Sequence, residues 1–431
     1  MSKEIIKDLP QLVEASIISE DTANKIREFY LEKGGKSQNR LFIVFGILGA
    51  TLVGLGLILI IAHNWDDLSR PAKTFFAFLP LVLGQLFCGF TILKKADSTA
   101  WKESSTAFLF LSVGGCISMI SQIYNISDDL SKFILVWMLL CFPLIYVMKS
   151  SAASLLYIVG ISYYAGEIGY WSYPHSGNYL YWGLLALAIP HYYFLYRNKK
   201  ESNFTLFHHW FIPLSVIFAL GTIPRQHDGF LNIAYMSLFG LFYIMGEMKY
   251  FKESKWKSNG YTVCGSLGII SLLLILSYDG IWNRISAHSY YFSDVFSSSE
   301  FYAAVFFSVS AFVLLYTKNK KGVLGEVDVM EMIFLLFIIV FITGCWFPVF
   351  STLLINLIVL GLGISAIRRG SKMDHLAVLN YGLLIIMALA TCRFFDDHIT
   401  YFVRGSLFVL AGAGFFITNY RMLKKRKTDE S

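Results

Sequence analysis

Runs of about 20 apolar residues, separated by short polar segments, recur along most of the 431-residue chain. An α-helix of that length crosses a hydrocarbon core of about 30 Å. The pattern predicts an all-α protein, a polytopic bundle of about fourteen transmembrane helices within a range of 12–14. The fourteen runs cover 41–62, 72–93, 106–125, 132–148, 152–171, 179–196, 207–224, 230–249, 260–278, 301–317, 330–347, 349–367, 377–395 and 402–421.

The first forty residues differ from the rest because they are polar with apolar positions at helical spacing. Ser19 is a typical N-cap residue, and Glu20 and Asp21 put negative charge in the first turn that follows. We expect two short amphipathic helices here, docked on the membrane domain or on a cytoplasmic protein partner. The predicted domains are therefore this module at 1–40, a transmembrane domain at 41–421 and a basic cytoplasmic tail at 422–431.

The distribution of charge predicts the orientation of the chain in the membrane. If the N-terminus is cytoplasmic and the spans alternate, 29 of the 36 lysines and arginines fall on the inner side, as the positive-inside rule requires. Both termini are then cytoplasmic. The net charge of +7 does not indicate nucleic acid, since the basic residues sit in short clusters between apolar runs. With 56% hydrophobic and 15% charged residues, the composition also excludes an ordinary soluble fold.

Two hairpins within residues 41–148 carry similar connecting segments. The segment NWDDLSR at 64–70 joins the first two spans, and NISDDLSK at 125–132 joins the third and fourth. Both segments fall on the predicted outer side, so the hairpins look like copies in parallel orientation. Internal repeats are common in transporters, although inverted repeats are more frequent there.

The first third of the chain resembles a family of predicted bacterial membrane proteins known as domain of unknown function 2157. The resemblance is carried by LVEASIISEDTANKI near the N-terminus, by GLGLILIIAHNWDDLS at the end of the first span, and by SQIYNISDD after the third. A later apolar run with a proline, WMLLCFPLIY, completes it. The resemblance implies an integral membrane protein of a bacterial inner membrane. It implies no particular activity.

Acidic residues recur on the predicted outer face, close to the starts of spans. They cap the helix starts in one interpretation. In the other, they converge into an acidic site that binds a cation or shares protons. His63, His227 and His398 lie at the same level, but scattered histidines do not predict a metal site. Glu167 is either an interfacial residue or part of the site. The outer acidic residues are Asp66, Asp67, Asp128, Asp129, Glu167, Asp396 and Asp397.

Polar residues inside spans define a second candidate, an intramembrane polar path. Such residues are expensive in a bilayer and default to function or to interhelical hydrogen bonds. Gln85, His191 and Asn356 form this set. Gly46, Ala50 and Gly54 instead recur every four residues in the first span, which predicts a face for close helix packing.

Three functions remain open. We rank a transporter or channel for a small solute or ion first, because of the span number, the repeated hairpins and the deep polar residues. A scaffold or sensor that recruits a partner through residues 1–40 comes second. A membrane enzyme acting on a lipid-linked substrate at the outer face comes third, since no catalytic motif occurs in a convincing context. No cofactor or metal is predicted, the lipid bilayer is the expected surrounding, and homo-oligomerisation is left open.

Overall fold

The structure of the chain is a computed structural model. It describes residues 9–63 except 11 and 16, then 69–126, 129–171, 179–224, 228–248, 251, 259–287, 295–296, 298–320 and 328–394, with scattered positions between 402 and 416. The described chain is helical throughout, which confirms the all-α class. It divides into two compact units, Met1–Glu167 with Leu180–Thr205, and Ile168–Tyr179 with Leu206–Ser431.

Six α-helices of unit 1 have both ends within the described residues. The longest, α1, has 44 residues and runs without a break through the predicted boundary at residue 40, so the second predicted module helix and the first predicted span form one element. Close packing joins α3 to α1 and α2, because glycines such as Gly84 lie directly against it. The helices are α1 (Glu20–His63), α2 (Arg70–Lys94), α3 (Thr99–Tyr124), α4 (Leu130–Val147), α5 (Ser151–Gly166) and α6 (Leu180–Asn198).

Unit 2 is arranged around a central helix, α8. The side chains of Ala234, Met236 and Ile244 on this helix are completely buried, and α9, α11 and α12 pack around it. A second pair, α13 and α14, forms a tight hairpin through Gly363 and Gly382. The helices are α7 (Asn203–Leu220), α8 (Asp228–Gly246), α9 (Gly260–Ile275), α10 (Asp279–Ala287), α11 (Ser299–Lys320), α12 (Val329–Trp346), α13 (Pro348–Lys372) and α14 (Leu376–Phe394).

The short helix α10 lies in the segment between the ninth and tenth predicted spans, 260–278 and 301–317, which the sequence pattern leaves as a loop. It is bent by 79° from α9. Trp282 fixes the bend because its fully buried indole donates a hydrogen bond to the carbonyl of Leu276 at 2.7 Å. The ring lies against Gly344 of α12, where a Cβ atom would come within 2.2 Å of it. This part of the segment is therefore a packed helix.

The outer surfaces of many helices are apolar, as a bilayer requires. Phe75, Leu86 and Ile339 each expose more than 60% of their surface although they belong to helices rich in apolar residues. Exposed apolar surface of this extent would be a liability in water but matches lipid. Within the described residues, nine helices are long and apolar enough to cross a membrane, or ten if α9 and α10 count as one span. A multi-pass helical membrane protein is therefore confirmed, and the number fourteen is not.

Candidate functional site

A buried carboxylate organises one end of unit 1. Glu103 of α3 is only 2% exposed and accepts hydrogen bonds from the first residues of α5. The hydroxyl of Ser150 donates to Oε2 at 2.5 Å, and the amide of Ala152 donates to the same oxygen at 2.8 Å. The amide of Ser151 donates to Oε1 at 3.1 Å. Glu103 thus satisfies amides at the start of α5 that have no partner within their own helix.

The same network reaches His191 on α6. Its Nε2 lies 3.3 Å from the hydroxyl of Ser151, and the ring is 5% exposed. Three helices, α3, α5 and α6, therefore meet at one polar cluster made of Glu103, Ser150, Ser151 and His191. The cluster is tightly packed and hydrogen-bonded, so its arrangement is that of a structural joint between helices.

Unit 2 contains a pocket of about 320 Å³. This volume lies at the lower end of the range for small-molecule sites, about 300–1,000 Å³. Five helices contribute to it where they begin or end at one end of the unit. The residues that line it include Tyr243 near the end of α8, Glu247 just after that helix, Thr262 and Ser266 in α9, Asp328 just before α12, Met330 in α12, Arg369 in α13, His375 just before α14 and Tyr381 in α14.

An ion pair crosses this pocket. The guanidinium of Arg369 contacts Oδ2 of Asp328 directly, and the hydroxyl of Tyr243 donates to the same oxygen at 2.5 Å. The other carboxylate oxygen, Oδ1, caps α12 by accepting from the amide of Met330 at 3.3 Å. Asp328 is thus held by groups from α8, α12 and α13, which makes it a rigid part of the wall.

A second carboxylate in the pocket is held less closely. Oε2 of Glu247 lies 3.7 Å from the guanidinium of Arg369, which is an ion-pair distance but too long for a hydrogen bond. The hydroxyls of Ser266 and Tyr381 bond to each other at 2.5 Å across the pocket. The hydroxyl oxygen of Thr262 is buried and has no hydrogen-bond partner among the described residues. Of the two pocket carboxylates, that of Glu247 therefore has the weaker contact with Arg369.

Next to the pocket lies a buried ion pair. The ammonium of Lys318, at the end of α11, donates to Oε1 of Glu331 at 2.6 Å. The side chains are only 7% and 4% exposed. Since Glu331 follows the pocket residue Met330 in α12, this pair braces the helix that carries Asp328. Removing one partner of a buried pair leaves an uncompensated charge, so the pair acts as a unit.

Residues 10–154 match the family model described as predicted membrane protein (DUF2157). This confirms the resemblance of the first third of the chain. The matched region contains Glu103 and all three of its hydrogen-bond donors, whereas the pocket of unit 2 lies outside it. No curated protein and no solved structure matches the chain.

Most of the predicted outer acidic site lies outside the described residues, namely Asp66, Asp67, Asp128, Asp396 and Asp397. The same is true of His227, His398 and the side chain of His63. Among the described residues, no group of three or more His, Cys, Asp or Glu side chains is placed to hold a metal ion.

Two residues of that predicted site are described. Asp129 caps α4, since its Oδ1 accepts from the amide of Lys132 at 3.1 Å. The hydroxyl of Ser131 donates to it at 2.7 Å, and the ammonium of Lys132 lies 2.9 Å away. These hydrogen bonds hold the pKa of Asp129 well below its usual value. Glu167 is half-buried and begins a π-helical turn, Glu167–Trp171. At Asp129 the arrangement is the helix cap of the first interpretation.

The three residues of the predicted intramembrane path lie in different surroundings. Gln85 is exposed on the outside of α2, whereas His191 is buried in the polar cluster of unit 1. Asn356 belongs to unit 2, where its amide nitrogen donates to the carbonyl of Ser277 at 3.1 Å and to that of Thr352 at 2.8 Å. It therefore ties α13 to the bend between α9 and α10. Gln85 differs from the other two because its side chain is exposed.

The small residues of the first span lie where α1 approaches α3. A Cβ atom on Gly46 would come within 2.6 Å of the hydroxyl of Ser104, and one on Gly54 would lie 3.8 Å from Leu111. The side chain of Ala50 is outside the described set. This part of α1 is therefore a packing surface against α3.

Apart from His191, the candidates predicted from the sequence do not include the polar residues that the structure brings together. Glu331 stands within an otherwise apolar run, VMEMIFLLF, and an intramembrane carboxylate is a signal for function or pairing. That signal was available. Glu247, Asp328 and Arg369 lie near span ends and look like ordinary topology charges, so the sequence offers no comparable sign of their convergence.

Proposed function

We propose that this protein is a transporter for a small solute, and that the pocket of unit 2 is its binding site. The observation that carries the proposal is a cavity of about 320 Å³ lined by charged and hydroxyl side chains within a membrane-embedded helical unit. A bundle with a purely structural role has no need to keep such a volume open, because protein interiors are normally close-packed.

The proposal includes a location and an orientation. The charge distribution along the sequence favours an inner membrane with both termini in the cytoplasm. In that orientation the pocket opens at the cytoplasmic end of unit 2, since the segments 247–259, 321–328 and 370–376 around it are all assigned inside. A transporter must expose the same site to the other side in turn, which gives the proposal a direct test.

The test is the two-sided accessibility of a cysteine placed in the pocket. Ser365 lines the pocket and is half-buried, so Ser365→Cys is a nearly isosteric probe. A membrane-impermeant maleimide is applied to right-side-out and to inside-out vesicles. We expect labelling of this variant from both faces. Labelling from the cytoplasmic face alone would refute alternating access.

Two further variants define the faces. Ser371→Cys lies on the exposed end of α13 and is expected to react only from the cytoplasmic side. Lys132→Cys, whose native side chain is 80% exposed, is expected to react only from the outside. The unmodified protein gives the background from the six native cysteines, four of which are buried and two partly buried. If the two face controls exchange sides, the orientation is wrong while the pocket test stands.

One observation favours the second function, a scaffold or sensor. With 44 residues α1 is about 66 Å long at 1.5 Å per residue, about twice the hydrocarbon core. Its N-terminal half would then extend beyond the membrane as an arm. A photoreactive group at the exposed Arg27 is expected to give one discrete adduct in cells if this arm holds a partner. The same group at the exposed Glu201 serves as the control, and equal patterns at both positions would argue against the scaffold.

The enzyme hypothesis depends on the outer acidic residues. Because most of these lie outside the described residues, it stays a prediction from the sequence.

A further inference from the structure

The charges that line the pocket of unit 2 do not cancel among the described residues. The ionic side chains described there are Glu247, Asp328 and Arg369, two acids and one base. The neighbouring Lys318–Glu331 pair adds no net charge because its members neutralise each other. His375, the pocket's histidine, stands at the exposed rim. Within the described part of the pocket interior, acidic side chains therefore outnumber basic ones by one.

The excess negative charge among these residues is located on Glu247. Asp328 has its full set of partners, a guanidinium, a phenol and a backbone amide, so it neutralises Arg369 and stays where it is. Glu247 lies 3.7 Å from the same guanidinium and is 15% exposed. Since one guanidinium cannot fully compensate two carboxylates, Glu247 is the group that gains most from an incoming cation.

The rest of the wall suits an apolar body. Phe251, Met330 and Leu362 contribute apolar surface, and Tyr243, Phe251 and Tyr381 contribute aromatic rings. An ammonium group is stabilised over aromatic faces as well as by a carboxylate. Apolar lining combined with a few placed polar groups is the usual composition of a small-molecule site.

We propose that this pocket binds a small organic cation, an ammonium group on an apolar or aromatic body, with Glu247 as the carboxylate that receives the ammonium. The inference rests on the proposed function, because it names the class of solute for the same site. Asp328 and Arg369 act as the fixed wall.

Three probes of similar shape test the class. They are 2-phenylethylamine, the neutral 2-phenylethanol and the anionic 3-phenylpropionate, each titrated into the full-length protein in nanodiscs at pH 8 with empty nanodiscs as the blank. We expect the amine to bind at least about tenfold more tightly than the alcohol, as a charge-assisted hydrogen bond predicts. The carboxylate is expected to bind most weakly.

Variants assign the preference to its residue. Glu247→Gln should reduce amine affinity about tenfold and leave the affinity for the alcohol unchanged, which also shows that the pocket has formed. The matched control, Glu201→Gln, changes an exposed glutamate of unit 1 and should alter neither. If Glu247→Gln fails to fold, Glu247→Asp replaces it; this variant keeps the charge on a shorter side chain and should weaken the amine by a smaller factor.

The outcomes separate the class of solute from the function. Tightest binding of the carboxylate, or equal binding of all three probes, overturns the cation assignment and leaves the transporter proposal standing. If no probe binds while Ser365→Cys reacts from both faces, the class is again overturned and the function stands. If no probe binds and that cysteine reacts from one face only, both proposals fall.

Discussion

Replacing Glu103 by alanine removes the acceptor at the start of α5 without touching α5 itself. In the native chain two backbone amides and the hydroxyl of Ser150 donate to this carboxylate, at 2.5–3.1 Å. Because Glu103 is only 2% exposed, water cannot easily take its place. Glu103→Ala is therefore expected to destabilise unit 1.

The magnitude follows from the donors that lose their acceptor. A buried donor left without a partner costs about 1–3 kcal/mol. The three donors share one acceptor and are not independent, so their costs do not simply add. We expect a total loss of about 3–5 kcal/mol, comparable to breaking a buried ion pair. Glu103→Gln keeps the shape and one good acceptor, so it should lose about 1–3 kcal/mol.

The assay uses the protein's own thiols. Cys88, Cys116 and Cys141 are buried in unit 1, and a thiol-reactive fluorophore reports their exposure on heating. Unfolding of a protein this large is often irreversible, so apparent Tm values are compared at one heating rate. For a unit of this size about 1 kcal/mol corresponds to about 2–4 °C, which predicts a decrease of about 6–20 °C for Glu103→Ala.

The control is Glu201→Ala, which removes an exposed glutamate and should leave the apparent Tm unchanged. A double-mutant cycle between Glu103→Gln and Ser150→Ala should give a coupling of about 0.5–3 kcal/mol. An apparent Tm of Glu103→Ala within about 1 °C of the control would refute the argument that this carboxylate completes α5.

Three further predictions also compare apparent Tm values. Cys264, which is buried, is the thiol reporter for unit 2; the acid series is followed by tryptophan fluorescence, because the reactive thiolate is scarce at low pH. Lys318→Met should lower the free energy of unfolding by about 3–5 kcal/mol, because it leaves the carboxylate of Glu331 buried and unpaired. Adding Glu331→Leu should recover most of this loss. A double variant as unstable as the single one would contradict the prediction. Gly265→Ala should lower the free energy of unfolding by about 1–3 kcal/mol, because a Cβ atom there would lie 2.5 Å from a backbone nitrogen of α8. The control, Gly361→Ala, should be neutral because nothing lies within 4 Å of its Cβ position. Equal effects of the two variants would count against close packing at Gly265. The pKa of Asp129 is lowered in the folded state, so its stabilisation is complete above its unfolded value of 3.8 and is lost as the pH falls through the folded pKa. Asp129→Ala should therefore lower the apparent Tm at pH 6 and progressively less below pH 3.8, and a difference that grows in acid would contradict the sign.

The helices could be predicted from the sequence because each apolar run must satisfy its backbone polar groups internally in a membrane. The predicted run at 72–93 became α2, Arg70–Lys94, and the run at 349–367 became α13, Pro348–Lys372. The domain boundary predicted at residue 40 does not coincide with a helix end, because α1 continues through it. Polarity changes there, but a change of polarity does not by itself end a helix.

The polar clusters could be predicted only in part. Asp129 as a cap depends on neighbours two or three residues away, which the sequence shows. The pocket depends on five helix ends that lie far apart along the chain, and hydrophobic periodicity says nothing of which ends meet. The bend at α10 is intermediate, since Trp282 and Ile285 share a helix face but their buried surroundings come from α12 and α13.

The way α5 begins also has a consequence for biosynthesis. Its three donors are supplied with an acceptor from 47–49 residues earlier in the chain, so Glu103 leaves the ribosome before they do. At about 5–20 residues per second, only a few seconds separate the two. The acceptor for the first turn of α5 is therefore synthesised before the turn itself. Asp328, in contrast, can contact Arg369 only after another 41 residues have been made. Nascent chains arrested once α5 has left the ribosomal tunnel should already hold the contact between Glu103 and the start of α5, and those arrested before residue 369 should lack the contact between Asp328 and Arg369.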